Sequence, residues 1–248
     1  MSEHQDQAPT VGRRSRTALI TGASRGIGLE TARRLLREDT GVGTVVLVSR
    51  SAEDLQEAIA ALEPAAPTGT RLLPRVLDVG DLDVLARTAR ELKEEVGRID
   101  LLVNNAGYTN PVPLQQIRQA DFERTMDVNL YAPFTLVQSL LNAGNVFELI
   151  VNIASTAGIR GRSGWLTYSA SKAALISMSE VMREELAIYG TRVACVSPGR
   201  TATALRRVLA PDEDPTTIMQ PEDVAEVVAA LASPVGRFID SENIVVRG

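Results

Sequence analysis

The feature that most constrains the fold is a glycine-rich turn between a short apolar strand and a helix. Residues 17–20 (TALI) predict a buried strand, residues 21–28 (TGASRGIG) a turn, and a helical pattern follows to about Arg37. Glycines allow a tight turn and close backbone approach, and a helix N-terminus presents free N–H groups and partial positive charge to a phosphate. A plain tight turn would also use glycines, but the strand–turn–helix context favours a phosphate-binding loop. The glycine spacing, three residues and then one, differs from the GxGxxG of most dinucleotide-binding folds.

Strands and helices alternate along the rest of the chain. Further strands are predicted at 44–48, 72–77, 99–103, 149–153, 191–196 and 243–246. Helices are predicted at 53–62, 81–96, 119–142 with a local kink at Pro133, from Tyr168 to about Tyr189, and at 221–232. This order predicts an α/β fold, a doubly wound parallel sheet with helices on both faces, in one domain over residues 16–248. The polar residues 1–15 are expected to be a disordered tail.

Functional residues are expected at the carboxyl edge of this sheet, where ligands bind in open α/β folds. The residues that follow successive predicted strands are Gly22, Ser49, Asp78, Asn105, Ser155 and Pro198.

Tyr168 and Lys172 suggest acid–base chemistry. They are four residues apart, so on a helix they share one face. A free tyrosine hydroxyl has a pKa near ~10, and a neighbouring ammonium lowers that pKa. Lowering it by about 3 units needs roughly 4 kcal/mol, which one lysine and a cationic cofactor ring together supply in a dry site. Taken alone, the same pair occurs on many solvated helix faces.

Composition excludes several function classes. The formal net charge of −5 gives no electrostatic basis for binding nucleic acid. One histidine, His4, and one cysteine, Cys195, exclude a Ser-His-Asp triad in the folded body and an internal disulfide, and they predict no metal site. No segment has the length of a membrane span or the pattern of a signal peptide, so a cytoplasmic location is expected.

Taken together, the motifs resemble the short-chain dehydrogenase/reductase family over about residues 16–246. The matching segments are TGASRGIG at 21–28, Asp78, NNAG at 104–107, Asn129, Ser155, YSASK at 168–172 and PGRTAT at 198–203. The resemblance implies a seven-stranded Rossmann sheet and reversible hydride transfer between NAD(P)(H) and a carbonyl or alcohol.

The resemblance also implies catalytic roles. Tyr168 is similar to the general acid that protonates the carbonyl oxygen, and Ser155 to the donor that polarises that oxygen. Lys172 is similar to the residue that holds the nicotinamide ribose and lowers the tyrosine pKa. Asn129 is similar to the residue that anchors a water in a proton relay. The alternatives are a helix-capping role for Ser155 and a buried structural amide for Asn129.

Cofactor contacts follow from the same resemblance. The pyrophosphate and adenosine ribose are expected at Gly22, Ser24, Arg25, Gly26, Ile27 and Gly28. The adenine and adenosine are expected at Asp78, Val79, Asn105, Ala106 and Gly107. The nicotinamide half is expected at Tyr168, Lys172, Pro198, Gly199, Thr201 and Thr203.

The end of the second strand favours NADP(H) over NAD(H). Sites for NAD usually carry a carboxylate there for the ribose hydroxyl. Here the position is Ser49, followed by Arg50, with Arg25 in the glycine turn. Two guanidiniums suit the 2′-phosphate of NADP(H), although both arginines would also be ordinary on a solvated surface.

Substrate and assembly are less constrained. A small carbonyl or alcohol substrate is expected, with the site mouth at 108–110, 159–165 and 204–219, where Arg160 and Arg162 meet either solvent or an anionic substrate. The general resemblance is to ketoreductases. A redox-sensing protein without turnover, and a sugar epimerase or dehydratase, are the alternatives. A homotetramer or homodimer is expected on helices 119–142 and 165–189, from apolar residues Phe134, Leu136, Val137, Leu140, Leu175, Ile176, Met178, Val181 and Met182.

Overall fold

One parallel sheet organises the protein. The computed structural model describes residues 15–37, 40–239 and 242–248, so the predicted tail lies outside them except for Ser15. Within these residues, seven strands pair in the order β3-β2-β1-β4-β5-β6-β7. The strands are β1 (Arg16–Thr21), β2 (Val42–Ser49), β3 (Arg71–Val76), β4 (Leu101–Asn104), β5 (Leu149–Ile153), β6 (Arg192–Pro198) and β7 (Asn243–Val246). The prediction of a doubly wound seven-stranded sheet is confirmed.

Helices cover both faces of the sheet. They are α1 (Gly26–Leu35), α2 (Ala52–Leu62), α3 (Leu82–Val96), α4 (Gln119–Met126), α5 (Ala132–Asn142), α6 (Thr156–Ile159), α7 (Leu166–Leu186), α8 (Ala204–Leu209) and α9 (Pro221–Ala232). Alternate side chains of β1 enter opposite cores. Ala18 and Ile20 pack with α1, α2 and α9, whereas Leu19 packs with α3 and α5. Burial on both faces explains why the strands are almost continuously apolar.

The chain reverses its direction of strand addition at β1. This strand pairs with β2 on one side and with β4 on the other. Crossovers that leave in opposite directions open a crevice at the carboxyl ends of the two strands, which is where ligands bind in such sheets.

The helix predicted at 119–142 is interrupted earlier than expected. A single π-helical turn, Asp127–Tyr131, separates α4 from α5, and Ala132 donates its N–H to the carbonyl of Asp127. Pro133 has no N–H, so the carbonyl of Asn129 lacks the usual donor four residues on. The proline therefore acts on the turn before it, where the structure has a π-turn that contains Asn129.

Two short helices, α6 and α8, were not predicted, because four and six residues carry too little periodicity. The Tyr168 helix ends at Leu186 and continues as a 3₁₀ turn through Tyr189. Among the described residues, none of the helices combines the length and apolar character needed to cross a bilayer.

Candidate active site

A cavity of about 710 Å³ opens at the carboxyl edge of the sheet. Nearly all of the predicted site residues line it: Gly22, Ser24, Arg25, Gly26, Ile27, Ser49, Arg50, Asp78, Val79, Asn105, Ala106, Gly107, Ser155, Tyr168, Lys172, Pro198, Gly199, Thr201 and Thr203. Gly28 and Asn129 do not line it. The structure therefore brings motifs from the first strand and from the segment after the sixth strand to the same cavity.

The glycine turn has no room for a side chain at Gly22 or Gly28. Gly22 has φ of 65°, and a Cβ on Gly28 would lie 2.2 Å from the Gly22 carbonyl oxygen. Asn105 holds the same turn from β4, because its Nδ2 donates to the carbonyls of Thr21 and Gly22, both at 3.0 Å. Gly28 is thus needed behind the turn rather than in the cavity wall. The tight turn at the start of α1 leaves a backbone-lined cradle that fits a pyrophosphate.

The end of β2 presents hydroxyl and guanidinium groups. The Ser49 hydroxyl donates to the Ser24 hydroxyl at 3.0 Å, and this pair joins the ends of β1 and β2. Arg25 and Arg50 lie in the cavity wall beside it. This arrangement places both cationic side chains at one end of the cavity.

Asp78 has a partner that the sequence did not reveal. Arg124 of α4 donates from Nη2 to both carboxylate oxygens at 2.7 Å, and the Gly80 N–H donates at 3.0 Å. Burial acts to raise the pKa of Asp78, but the hydrogen bonds from Arg124 and Gly80 and the charges of Arg124 and Arg50 leave that pKa lowered. The helical pattern around Arg124 gives no sign of a contact 46 residues away, so only the packing of α4 identifies it.

Tyr168 is buried beside Ser155. Burial raises the pKa of Tyr168, while hydrogen bonding with Ser155 and the charge of Arg206 lower it, and the net direction is upward. The sequence predicted that Lys172 and a cationic cofactor ring lower the pKa of Tyr168. In the protein without cofactor, that pKa is raised instead. Ser155 is also the N-cap of α6, where its hydroxyl accepts from the Ala157 N–H at 3.1 Å. Ser155 therefore caps α6, as the structural alternative expected, and it also contacts Tyr168.

Lys172 is buried one turn along the same face of α7. Its Nζ donates to the Ile153 carbonyl at 2.7 Å and lies 5.9 Å from the centre of the Tyr168 ring. Burial lowers the pKa of Lys172 to about 8. The amine can therefore gain and lose a proton not far from neutral pH.

The side chain of Asn129 is fully buried and structural. It donates to the Tyr108 carbonyl at 2.9 Å and to the Ser171 hydroxyl at 3.0 Å, and it accepts from the Tyr108 N–H at 2.8 Å. The buried-amide alternative thus describes this side chain. A role in water binding would have to use the backbone carbonyl, whose usual helical donor is removed by Pro133.

The segment after β6 covers Tyr168. Thr203 caps α8 by accepting from the Arg206 N–H at 3.1 Å, and Leu209 packs with Tyr168 and Ala157. We call residues 199–219 the lid segment.

Arg206 of the lid segment contacts both an aromatic ring and a carboxylate. The guanidinium of Arg206 lies 5.4 Å from the centre of the Trp165 ring and donates to both carboxylate oxygens of Glu213, at 2.5 and 2.7 Å. Trp165 therefore packs at the start of α7, against a lid side chain. The sequence placed residues 204–219 at the mouth of the site but did not single out Arg206.

Among the described residues, no group of three or more histidine, cysteine, aspartate or glutamate side chains is arranged to hold a metal ion.

Fold and cavity together define a nucleotide-binding protein of the Rossmann type. Residues 16–214 match the family model of the short chain dehydrogenases. The chain is 31% identical to the 3-oxoacyl-(acyl-carrier-protein) reductase FabG of Thermotoga maritima, with 94% of this chain and 96% of that protein covered. The chain belongs to the short-chain dehydrogenase/reductase family of oxidoreductases, which confirms the resemblance.

Two solved structures illustrate the range of relatives. A tryptophan-substituted variant of actinorhodin polyketide ketoreductase with NADPH superposes with a TM-score of 0.83 at 30% identity, covering 94% of this chain and 96% of that one. NAD⁺-bound xylitol dehydrogenase superposes with a TM-score of 0.80 at 26% identity, covering 94% and 98%. The fold is thus shared by proteins that bind NADPH and by proteins that bind NAD⁺.

Proposed function

We propose that this protein is an NADP(H)-dependent reductase of a ketone or aldehyde, or equally a dehydrogenase of the corresponding secondary alcohol. The observation that carries the proposal is one cavity holding both the glycine cradle and the set Ser155, Tyr168 and Lys172. A cofactor and a proton donor can meet only if they share such a space.

Named groups would hold the cofactor. The backbone of the glycine turn suits the pyrophosphate, Asp78 and Val79 the adenine, and Lys172 the nicotinamide ribose. Pro198, Gly199, Thr201 and Thr203 suit the nicotinamide end. When bound, the nicotinamide supplies or accepts the hydride.

The protein's own residues manage the proton. Carbonyl reduction develops negative charge on oxygen, and preorganised donors stabilise that charge. Tyr168 gives its hydroxyl proton to this oxygen, while Ser155 donates a hydrogen bond to it. Lys172, with a lowered pKa, is suited to pass a replacement proton to Tyr168. In the reverse direction Tyr168 takes the proton from the alcohol.

A carbonyl-substrate panel tests this function, with loss of reduced-nicotinamide absorbance as the readout. On a good substrate, Tyr168→Phe should lower kcat by orders of magnitude and leave cofactor binding intact, because the ring stays and only the donor is lost. Lys172→Ala should weaken both. NADPH binding without turnover across the panel would favour the redox-sensing alternative, and a Tyr168→Phe enzyme within a few-fold of the parent would refute the role of Tyr168.

Cofactor choice rests on the end of β2. Ser49 offers no carboxylate to repel a 2′-phosphate, and Arg25 and Arg50 lie in the adjoining wall. Charge-assisted hydrogen bonds are worth about 1.5–3 kcal/mol, so Arg50→Ala should raise the KM for NADPH roughly tenfold and leave that for NADH nearly unchanged. Ser49→Asp should move preference towards NADH. A parent enzyme with equal or better kcat/KM for NADH would overturn the choice of NADP(H).

A homotetramer or homodimer is part of the proposal, on narrower grounds than the sequence suggested. Leu136, Val137, Leu140 and Leu175 are buried within the chain's own core. The exposed apolar residues on these helices include Phe134 (43%) and Val181 (52%), and Tyr131 (45%) is exposed in the π-turn. A monomeric mass by light scattering at micromolar concentration would exclude either assembly. The cytoplasmic location is likewise proposed, and cell fractionation tests it.

A further inference from the structure

Arg206 differs from its neighbours in the lid segment. Its side chain is 17% exposed, whereas that of Arg200 is 61% exposed and Arg207, the next residue of α8, is exposed. An arginine that leaves solvent needs a partner for its charge. Glu213, itself 16% exposed, supplies that partner through two short hydrogen bonds.

Arg206, Glu213 and Arg200 form one charged group within the lid segment. Arg200 also approaches Glu213, at 3.4 Å. One carboxylate cannot neutralise two guanidiniums, so the three residues together keep one net positive charge. The better geometry lies with Arg206, which is the inner of the two arginines.

The same guanidinium reaches the catalytic wall. It lies over the ring of Trp165, three residues before Tyr168, and both aromatic residues belong to one cluster with Leu205 and Leu209 of α8. Cation–π contacts gain strength when they are withdrawn from water. Arg206 thus joins three parts of the site: the lid helix, the start of α7, and the loop that carries Glu213.

We propose that Arg206 is a positioning residue that latches the lid segment over Tyr168 and fixes a positive charge near the hydroxyl that exchanges the proton. The inference rests on the proposed function, because it assigns Arg206 a task in the proton transfer of Tyr168. The latch would also tie proton transfer to closure, since an open lid would remove the charge.

Several polar and charged groups lie around Tyr168 and Lys172. Lys172 lies on the same helix, Ser155 comes from the end of β5, and Arg206 comes from α8 with Glu213 attached. Cys195 of β6 interacts electrostatically with Lys172. Of these groups, Ser155 and Arg206 act directly to lower the pKa of Tyr168. Removing the charge of Arg206 should therefore raise that pKa.

The sign for carbonyl reduction follows. Tyr168 must hold its proton to act as the acid, so activity is lost as pH rises through its pKa. In Arg206→Gln this loss should move to higher pH. A weaker acid should also lower kcat at neutral pH by roughly three- to tenfold, a part of the about 10²–10⁴-fold that general acid–base catalysis contributes.

The test compares Arg206→Gln with Arg206→Lys and with the matched control Arg207→Gln on the same helix. The chain has one tryptophan, so Trp165 fluorescence reports the latch directly. Ionisation of Tyr168 is followed by tyrosinate absorbance, as the difference between each protein and its Tyr168→Phe version, which needs no substrate. Circular dichroism melts verify that each variant is folded.

We expect Arg206→Gln to change Trp165 emission and to shift both the Tyr168 ionisation and the pH profile of kcat to higher pH. In Arg206→Lys the Tyr168 ionisation and the pH profile of kcat should stay close to those of the parent, because the charge remains. Arg207→Gln should match the parent in all three measurements. Unchanged Tyr168 ionisation in Arg206→Gln would overturn the inference, as would an equal shift in Arg206→Lys. If Arg206→Gln does not fold, Arg206→Met takes its place, because it removes the same charge and keeps an unbranched side chain against Trp165. It supports the inference if Tyr168 ionisation shifts to higher pH, and refutes it if that ionisation stays at the parent position. Failure of the proposed function itself would appear separately, as full activity in Tyr168→Phe.

Discussion

The two ends of the cavity are built in different ways. At the cofactor end, the backbone of the glycine turn packs against the Asn105 side chain and the Ala106 backbone. At the lid end, side chains do the holding, and of the six residues of α8 only Leu209 is buried. The cofactor end should therefore be sensitive to the addition of single atoms, and the lid end to changes of charge.

The largest expected effect breaks the cofactor end. Gly28→Ala places a methyl group 2.2 Å from the Gly22 carbonyl, with rigid backbone opposite. Alanine would normally favour a helix by about 1 kcal/mol, but here the clash should outweigh that gain, with loss of NADPH binding and a clear fall in melting temperature. The control is Gly161→Ala in the loop after α6, where a Cβ meets nothing within 4 Å. Equal NADPH affinity in the two variants would contradict the rigid-turn interpretation.

A second prediction concerns Lys172, which lies between the two ends. Its pKa is about 8 in the folded protein against an ordinary value of 10.5. Between these values the unfolded chain holds the proton and the folded protein does not, so the stability contributed by this residue rises with pH. The parent should therefore gain about 3 kcal/mol relative to Lys172→Met between pH 8 and 10.5.

Urea unfolding at several pH values measures this gain. Burial raises the pKa of Cys195 to about 11, which acts in the opposite direction, and burial also raises that of Tyr168. Both residues are present in the two proteins, so comparing the proteins reduces their influence. Curves for the parent and Lys172→Met that run parallel across this range would show that the ammonium is not desolvated as the geometry suggests.

The smallest expected effect compares two helix caps of the same kind. Ser51 caps α2 and Thr203 caps α8, each by accepting an N–H at 3.1 Å. Removing a cap costs about 1 kcal/mol. Because α2 is anchored in the core by Leu55, Ala58 and Leu62, Ser51→Ala should lower global stability by that amount.

Thr203→Ala should instead leave global unfolding nearly unchanged and speed amide exchange within α8, because a weakly buried helix opens locally. Global destabilisation by Thr203→Ala equal to that of Ser51→Ala would show that the lid segment is part of the cooperative core, and would remove the contrast between the two ends.

The sequence predicted the strands and turns of this protein better than its side-chain contacts. Parallel strands are indicated by apolar runs such as 44–48, and the tight turn by glycines at positions that admit nothing else. The positions at strand ends then follow from the fold. Asn129 shows where prediction from the sequence ends. Its motif identified the residue, but only the structure shows that its side chain hydrogen-bonds to Tyr108 and Ser171.

Charged contacts between distant segments were beyond prediction. Arg124 meets Asp78 across 46 residues, and Arg206 meets Trp165 through a short helix that has no visible periodicity. The pKa of Tyr168 depends on burial as well as on its neighbours in sequence, which is why its direction differs from the expected one. Long polar side chains have many rotamers, and their partners are selected only once the backbone is in place.

The strand order has a consequence for synthesis of the chain. β1 ends at Thr21 and its second partner, β4, ends at Asn104. At about 5–20 residues per second, roughly 4–17 s pass before the ribosome supplies that partner. β1, an interior strand of the finished sheet, is thus an exposed apolar edge on the nascent chain, where unpaired strands invite aggregation. Pulse proteolysis of ribosome-bound chains arrested after β3 and after β4 would show protection of β1 arriving in a single step.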